Sequence, residues 1–570
     1  MQLHKMLTLA ALPVAIAACG GATDNPVATP APTATPAAVA SGPIDVKILA
    51  INDFHGNLKP GSAKGVDASD ASKAVAVGGV EYLGTWIKTL KAKNPNNIVV
   101  SAGDLIGASP LISALFHDEP TIEAMNEIGL ELNAVGNHEF DDGREELLRM
   151  QNGGCHPKDG CSSAGAFKGA KFKFLAANVI DDASGKSLFP AYQVKTFGGV
   201  KVAFIGMTLK NTPAIVTPTG VQGLSFKDEA DTVNALVPTL KKDGIEAIVV
   251  LVHEGGTQTG GLNECKGVSG AIVDIVKRLD PAVDAVISGH THQAYNCQIN
   301  GKLVTSASQY GRVVSEIDLQ LDPKTRDVVK SGAKNLWVTN DVAKDGILST
   351  LVSKYEALIK PLEDRITGTV AGPLSKSANK AGESALGNVI ADSQLAATKD
   401  AKLGAAQIAF MNPGGVRADL TPAKDGSVTY GQLFTVQPFG NTLVSMTVTG
   451  ADLIELLEQQ FVGYTNNQPF DRVLLVSNGF SYSYDKGRAA GQRVLRNSVK
   501  LNGVQIDTAA SYRITVNNFL AGGGDNFTVL TKGTNILGGA QDIDAMESYL
   551  KANPNLPVPA LDRVTISLPQ

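Results

Sequence analysis

A chain of 570 residues that is 43% hydrophobic and 18% charged carries enough apolar material for more than one packed core, which excludes a disordered or fibrous protein. Its formal net charge of −5 leaves no basic excess to displace phosphate counterions, so a nucleic-acid polymer is not the expected partner, while small anions stay open wherever positive charge is local. At the ordinary scale of about 150 residues per domain, two large domains are expected.

The chain opens as an export signal: Lys5 supplies the positive start, Leu7 to Ala18 the apolar run, and the small residues Ala17 and Ala18 precede Cys19. That run is too short to remain as a membrane span. Ile16-Ala17-Ala18-Cys19 resembles a bacterial lipobox, which implies a signal peptide over 1–19 ending in a lipidated Cys19. The Ala/Thr/Pro-rich stretch 20–43 then reads as a flexible tether. The expected location is the periplasmic side, with Gly20 rather than an Asp favouring the outer membrane, and the lipid is the only membrane contact expected.

From Ile44 to Asn340, strand-like runs alternate with helical segments such as Val80 to Lys91 and Thr121 to Gly129, which is the pattern of βαβ units. Five of these runs end in potential metal ligands. Val46 to Ile51 leads into Asp53-Phe54-His55, Ile98 to Ala102 into Gly103-Asp104, and Leu132 to Val135 into Gly136-Asn137-His138-Glu139-Phe140-Asp141. Downstream, Ile248 to Val252 meets His253-Glu254, and Ala285 to Ser288 meets Gly289-His290-Thr291-His292. Loops leaving the carboxyl ends of parallel strands gather at one crevice, so these residues can meet although they are far apart in sequence. His117 and His156 fit none of these positions and read as surface or loop residues.

With Cys19 set aside, four cysteines suit two disulfides in an oxidising compartment. Cys155 and Cys161 share one Gly-rich loop and are expected to pair, which leaves Cys265 and Cys297 to each other, each just downstream of a ligand-bearing loop. Thiolate ligation of a metal is disfavoured because no close CxxC pair exists. Ile347 to Arg365 shows helical periodicity and makes 341–365 a connector. A second α/β unit over 366–570 should contain helices at Gly382 to Thr398 and Gly450 to Gln460, and strands at Ala406 to Met411 and Tyr512 to Asn517. The last strand runs into Asn518-Phe519-Leu520 and a Gly-rich turn ending at Asp525.

Phosphoester hydrolysis at neutral pH needs a strong nucleophile and cancellation of phosphoryl charge, which two ions about 3.5 to 4 Å apart supply. Mixed imidazole, carboxylate and amide ligands without thiolate suit Zn, Mn, Co or Fe, and the identity of the two divalent ions stays open. A lone carboxylate such as Asp104 can bridge both.

This series of motifs resembles the calcineurin-like metallophosphoesterases and, within them, the 5'-nucleotidase family. The resemblance implies an α/β protein with a four-layer metallophosphoesterase βαβ sandwich over 44–340, joined by a helix to a C-terminal α/β nucleotide-binding domain. It implies a first ion on Asp53, His55 and His292, a second on Asn137, His253 and His290, and Asp104 shared. His138 would stabilise the transition state or protonate the leaving oxygen, oriented by Asp141. Asn412-Pro413-Gly414-Gly415-Val416-Arg417 resembles the phosphate-side loop, with Asn412 and Arg417 as its contacts. Phe439 and Phe519 are candidates to sandwich the base, with Asn441 and Asp525 hydrogen-bonding base or ribose. Two departures stand out: Lys380 where an Arg is common, and Asn57 in place of a basic residue. The expected reaction is hydrolysis of nucleoside 5'-phosphates to nucleoside and phosphate for extracytoplasmic scavenging. The alternatives are a 2',3'-cyclic-nucleotide phosphodiesterase/3'-nucleotidase, a UDP-sugar or NAD pyrophosphohydrolase and, in a different class, a noncatalytic nucleotide-binding surface protein. With metals on one domain and base-stacking residues on the other, the connector is expected to act as a hinge.

Overall fold

The computed structural model describes residues 42–161 and 165–567, so the expected signal, Cys19 and nearly all of the tether lie outside the described residues. In chain order the first domain's main strands begin with β1 (Ile44–Ile51), β2 (Asn97–Ser101), β3 (Leu132–Ala134), β4 (Lys173–Leu175), β5 (Tyr192–Phe197) and β6 (Val200–Thr208). They continue with β7 (Ala247–His253), β8 (Ala285–Ser288), β9 (Ala294–Ile299), β10 (Lys302–Ala307), β11 (Val313–Asp322) and β12 (Asp327–Trp337). They form two six-stranded sheets, ordered β12-β11-β1-β2-β3-β4 and β9-β10-β8-β7-β6-β5. The ladders β1–β2–β3–β4 and β6–β7–β8 are parallel, while β11 and β12 in the first sheet and β5 in the second run antiparallel to their neighbours.

The period-two pattern of the strands explains the layering. Ile44, Val46, Ile48 and Ala50 of β1 enter a core shared with Val249 and Leu251 of β7, so the two sheets pack face to face. Leu49 and Ile51 point the other way, under the helices α1 (Val80–Lys91) and α2 (Glu119–Ile128). On the far sheet Ile248, Val250 and Val252 meet α3 (Glu229–Lys242) and α4 (Ala271–Arg278). The result is a four-layer α/β/β/α sandwich. Helix α1 has the expected bounds, whereas α2 begins two residues early, with Pro120 in its first turn, and stops at Gly129, whose φ of 81° no β-carbon-bearing residue adopts as cheaply.

The connector is α5 (Gly346–Glu363), started by Asp345, whose carboxylate accepts from the Ile347 and Leu348 amides. Its stripe Leu348, Val352, Tyr355 and Ile359 lies in the first domain's core beside α1 and α2. Each such side chain contributes about 1.5 to 3 kcal/mol when fully buried, which holds the helix to that core. After it, Arg365 pairs with Glu547 and its guanidinium lies 4.8 Å from the Tyr430 ring centre, so the chain is tied to the second domain as soon as the helix ends.

The second domain has the strands β13 (Ile408–Met411), β14 (Thr442–Thr449), β15 (Leu475–Val476), β16 (Ser511–Asn517) and β17 (Thr534–Gln541), ordered β15-β13-β16-β14-β17. Helices α6 (Ala385–Thr398) and α8 (Asp542–Ala552) cover one face, and α7 (Gly450–Glu458) the other. Helix α6 starts three residues later than expected because Ser384 caps it, accepting from the Gly387 amide. Both expected disulfides are present, Cys155–Cys161 and Cys265–Cys297. Among the described residues no helix is long and apolar enough to cross a membrane.

Candidate active site

Parallel registry brings the ligand-bearing loops to one level. Ile51 of β1 stands beside Ser101 of β2, and Val252 of β7 beside Ser288 of β8, so Asp53, Asp104, His253 and His290 all leave the same edge. Five of the seven expected ligands have left-handed backbones: Asp53, His55, Asp104, His290 and His292, with φ between 46° and 70°. Such a conformation costs roughly 1 to 2 kcal/mol per non-glycine residue and persists only where neighbours enforce it. Here the Asp53 amide donates to Gly103 O at 2.9 Å and the His55 amide to Asp104 O at 3.0 Å, which lace the first two loops together.

Asp53, His55 and His292 form one cluster of ligand atoms, and Asp104, His253 and His290 a second, each within 4.8 Å. Asp104 Oδ2 stands 3.0 Å from His253 Nε2 and 3.6 Å from His55 Nε2, between the clusters. His253 Nδ1 donates to Ala102 O at 2.7 Å and His55 Nδ1 to Gly107 O at 2.8 Å. A carbonyl can only accept, so in both rings Nδ1 carries a proton and Nε2 is the nitrogen turned into the site. His55 Nε2 and His292 Nε2 face each other at 3.3 Å, and His253 Nε2 and Asn137 Oδ1 are buried with no hydrogen-bond partner. Convergent lone pairs left without donors are what a divalent cation satisfies, and the donor set suits a zinc-like ion. Burial pushes the His290 imidazole down to about 3, with His253 adding to the effect. Burial opposes charge on Asp104, but His253, His138 and His55 outweigh it and hold the carboxyl well below the ordinary range.

Two residues without an expected role position this set. Glu139 Oε2 accepts from the Asp104 and Gly136 amides at 2.9 and 2.7 Å, and Oε1 from Leu105 N and Asn133 Nδ2 at 3.0 and 3.2 Å. One carboxylate thus ties the Asp104 loop to the Asn137 loop. Gly136 is required there, because a side chain at that position would strike Asp104. Asn52 Nδ2 donates to Asp53 Oδ2 at 2.7 Å while its Oδ1 accepts from the Ala307 amide. Asn57 donates to the Phe54 and His55 carbonyls, so it closes the turn rather than facing substrate.

His138 hangs beside the clusters, with its amide donating to Asp104 Oδ1 at 2.9 Å and its Nδ1 to Asp141 Oδ2 at 2.7 Å. Burial works against its cation, but Asp141 and Asp104 prevail and raise its pKa.

A cavity of about 240 Å³ opens between the domains. Its first-domain wall is Asn137, His138, Asp141, Asp142, residues 215–217 and His290. Its second-domain wall includes Asn412, Arg417, Phe439, Asn441, Phe519 and Asp525. The Phe439 ring lies nearly parallel to His138 with centres 5.8 Å apart, and the Arg417 guanidinium stands 5.7 Å from the Phe439 centre. Asn517 Nδ2 donates to Asn412 Oδ1, and Asn412 Nδ2 to Asp525 Oδ2, both at 3.0 Å. Lys380 is exposed and not among the lining residues; Lys376, also exposed and outside the lining, donates to the main-chain carbonyl of Arg417 at 3.0 Å. Phe470, 57% exposed, and Arg472 also line the cavity, with the guanidinium 4.2 Å from the ring centre and Nε 3.5 Å from Asp525 Oδ1. Neither carries a sequence signal beyond Pro469-Phe470 in an irregular stretch. Truncating Phe519 to alanine should raise KM by about 5- to 150-fold with kcat little changed, the scale of one lost base–aromatic stack, read in steady-state kinetics.

Two family models match the chain: calcineurin-like phosphoesterase over residues 46–294 and the 5'-nucleotidase C-terminal domain over 366–532. The chain is 32% identical over 545 residues to the "Cell wall protein Lmo0130" of Listeria monocytogenes, covering 90% of this chain and 68% of that one. It is 34% identical over 514 residues to the "Endonuclease YhcR" of Bacillus subtilis, covering 89% of this chain but only 40% of that much longer protein. The crystal structure of a 5'-nucleotidase precursor from Thermus thermophilus superposes with a TM-score of 0.75 at 27% identity, over 92% of this chain and 100% of that one. The two models meet on the two domains described above, the first on the sandwich with the clustered ligands and the second on the sheet that carries Arg417, Phe439 and Phe519. The chain belongs to the 5'-nucleotidase family of calcineurin-like phosphoesterases, hydrolases of phosphoesters that work with divalent metals.

Proposed function

We propose that the protein hydrolyses nucleoside 5'-phosphates to nucleoside and phosphate outside the cytoplasm, in nucleotide scavenging. The observation that carries this is a cavity lined by His138 and His290 of the first domain and by Arg417, Phe439 and Phe519 of the second, so that groups for a phosphate and for a base face one space. Two divalent ions on the clustered ligands would supply charge cancellation at the phosphoryl oxygens and an acidified water. The residues of the chain do the rest. Arg417, on the cavity wall, offers a planar fork to the phosphate. His138, with Nδ1 held by Asp141, keeps a proton on Nε2 for the leaving oxygen. Asp525 and Asn412 present hydrogen-bonding groups between phosphate and base. Purified full-length chain should lose activity on chelation and regain it with Zn or Mn. Absence of phosphate release from every nucleoside 5'-phosphate in the reloaded protein would remove the reading.

A second reading draws on Phe470 and Arg472. They extend the aromatic, cationic wall beyond Asp525, which suits the distal half of a nucleotide sugar or dinucleotide. Release of a nucleoside monophosphate from UDP-glucose or NAD, faster than phosphate from AMP, would favour it. Anchorage through a lipid on Cys19 is part of the same proposal, supported by the lipobox-like run, and Cys19→Ala should move the protein from the membrane to the soluble envelope fraction.

A further inference from the structure

We infer that His117, His156 and Asp159 form a third metal site, of the zinc type and separate from the paired clusters. These ligand atoms lie within 4.8 Å of one another, with His117 Nε2 at 2.9 Å and His156 Nδ1 at 3.3 Å from Asp159 Oδ2. Donors about 2.0 to 2.1 Å from a tetrahedral ion are spaced about 3.3 Å apart, so two of the three separations already suit one. The Asp159 amide donates to His156 Nδ1 at 3.1 Å, so that nitrogen carries no proton, and an ion would take over the lone pair this bond now uses. The two rings stack with centres 3.7 Å apart and planes 10° apart, an arrangement two imidazolium ions would not share. Because the ring lone pairs lie in the ring planes, an ion shared by both would have to turn the rings out of this stack.

The backbone around the cluster is held in place. His117 and Asp118 are both left-handed, with φ of 53° and 59°, at the turn between residues 111–114 and α2. His156 and Asp159 lie in the loop closed by Cys155–Cys161 and by reciprocal backbone hydrogen bonds between His156 and Gly160, at 3.1 and 2.9 Å. A solvent-exposed ion pair is worth no more than about 1 kcal/mol and gives no reason for pinning both segments this firmly. Burial, then Asp141, Asp118 and Glu146, push Asp142 up to about 6, while His117 opposes them, so the cluster borders a region of negative potential. Two imidazoles and a carboxylate suit zinc over calcium or magnesium and leave a fourth position to water.

A bound ion would act on the active site from a distance. Asp118 Oδ2 accepts from the Gly107 amide at 3.0 Å, and Gly107 O accepts from His55 Nδ1. Fixing the His117–Asp118 turn therefore fixes the carbonyl that orients His55.

The test is zinc stoichiometry of the full chain after stripping with chelator, reloading and dialysis. Wild type should hold one zinc more per chain than His156→Gln or Asp159→Asn, three against two if the paired clusters fill as proposed. Asp159 is exposed, so its variant keeps the measurement usable should the His156 variant fold poorly. Equal stoichiometry in wild type and the folded variants would overturn the inference. A difference of one with totals of one and zero would uphold it and remove the paired centre instead.

Discussion

Asp104→Ala is expected to lower kcat by at least about a thousandfold and to release metal. Its carboxylate stands between the clusters, 3.0 Å from His253 Nε2 and 3.6 Å from His55 Nε2, while its other oxygen accepts the His138 amide. Without it, the imidazoles that face the site lose the negative charge that offsets a second cation, and the His138 loop loses its anchor. Metal assistance is worth several kcal/mol, and each 1.4 kcal/mol is tenfold, so loss of the bridge alone reaches about three orders of magnitude. Steady-state rates paired with metal analysis check this. A variant that keeps both ions and more than a tenth of the activity would show that Asp104 is no bridge. Glu139→Gln should be milder, about 10- to 100-fold, because it loosens the Asp104 and Gly136 amides without removing a ligand atom.

The five ligand loops were legible because each follows a run of Val, Ile and Leu that is apolar on both faces, as strands between two packed layers must be. What the runs could not convey was the backbone beyond them. Nothing in Asp53, His55, Asp104, His290 or His292 announces a left-handed conformation, which depends on hydrogen bonds arriving from other loops. Glu139 stood in plain view beside His138, yet two of its four acceptances come from Asp104 and Leu105, on a loop far away in sequence. In the second domain Lys380 lies in an irregular stretch with no period to fix which way it faces, and it stands exposed outside the cavity lining. The apolar stripe of α5 was legible as well, since 348, 352, 355 and 359 stand at helical spacing and spell one buried face.

His138→Ala is expected to reduce turnover of nucleoside monophosphates by about a hundredfold to ten-thousandfold, the usual worth of a positioned acid, with metal content unchanged. The imidazole ligates nothing in either cluster, and its amide contact to Asp104 survives truncation. Asp141→Asn should cost less and move the pH profile. Asp141 works to raise the His138 pKa against burial, so the protonated ring persists to higher pH with the carboxylate than without it. A step that needs imidazolium is complete below that pKa and fades as pH rises through it, so the alkaline limb of kcat in Asp141→Asn should shift to lower pH. Nearby cations change where the limb lies but not the sign of this difference. An ester such as p-nitrophenyl phosphate, whose leaving oxygen departs without a proton, distinguishes the two roles open to His138. If the ring is an acid, His138→Ala should be far less damaging on that ester than on AMP. If the losses match, the ring stabilises charge on the transferring phosphoryl group instead, and an unshifted profile in Asp141→Asn would agree.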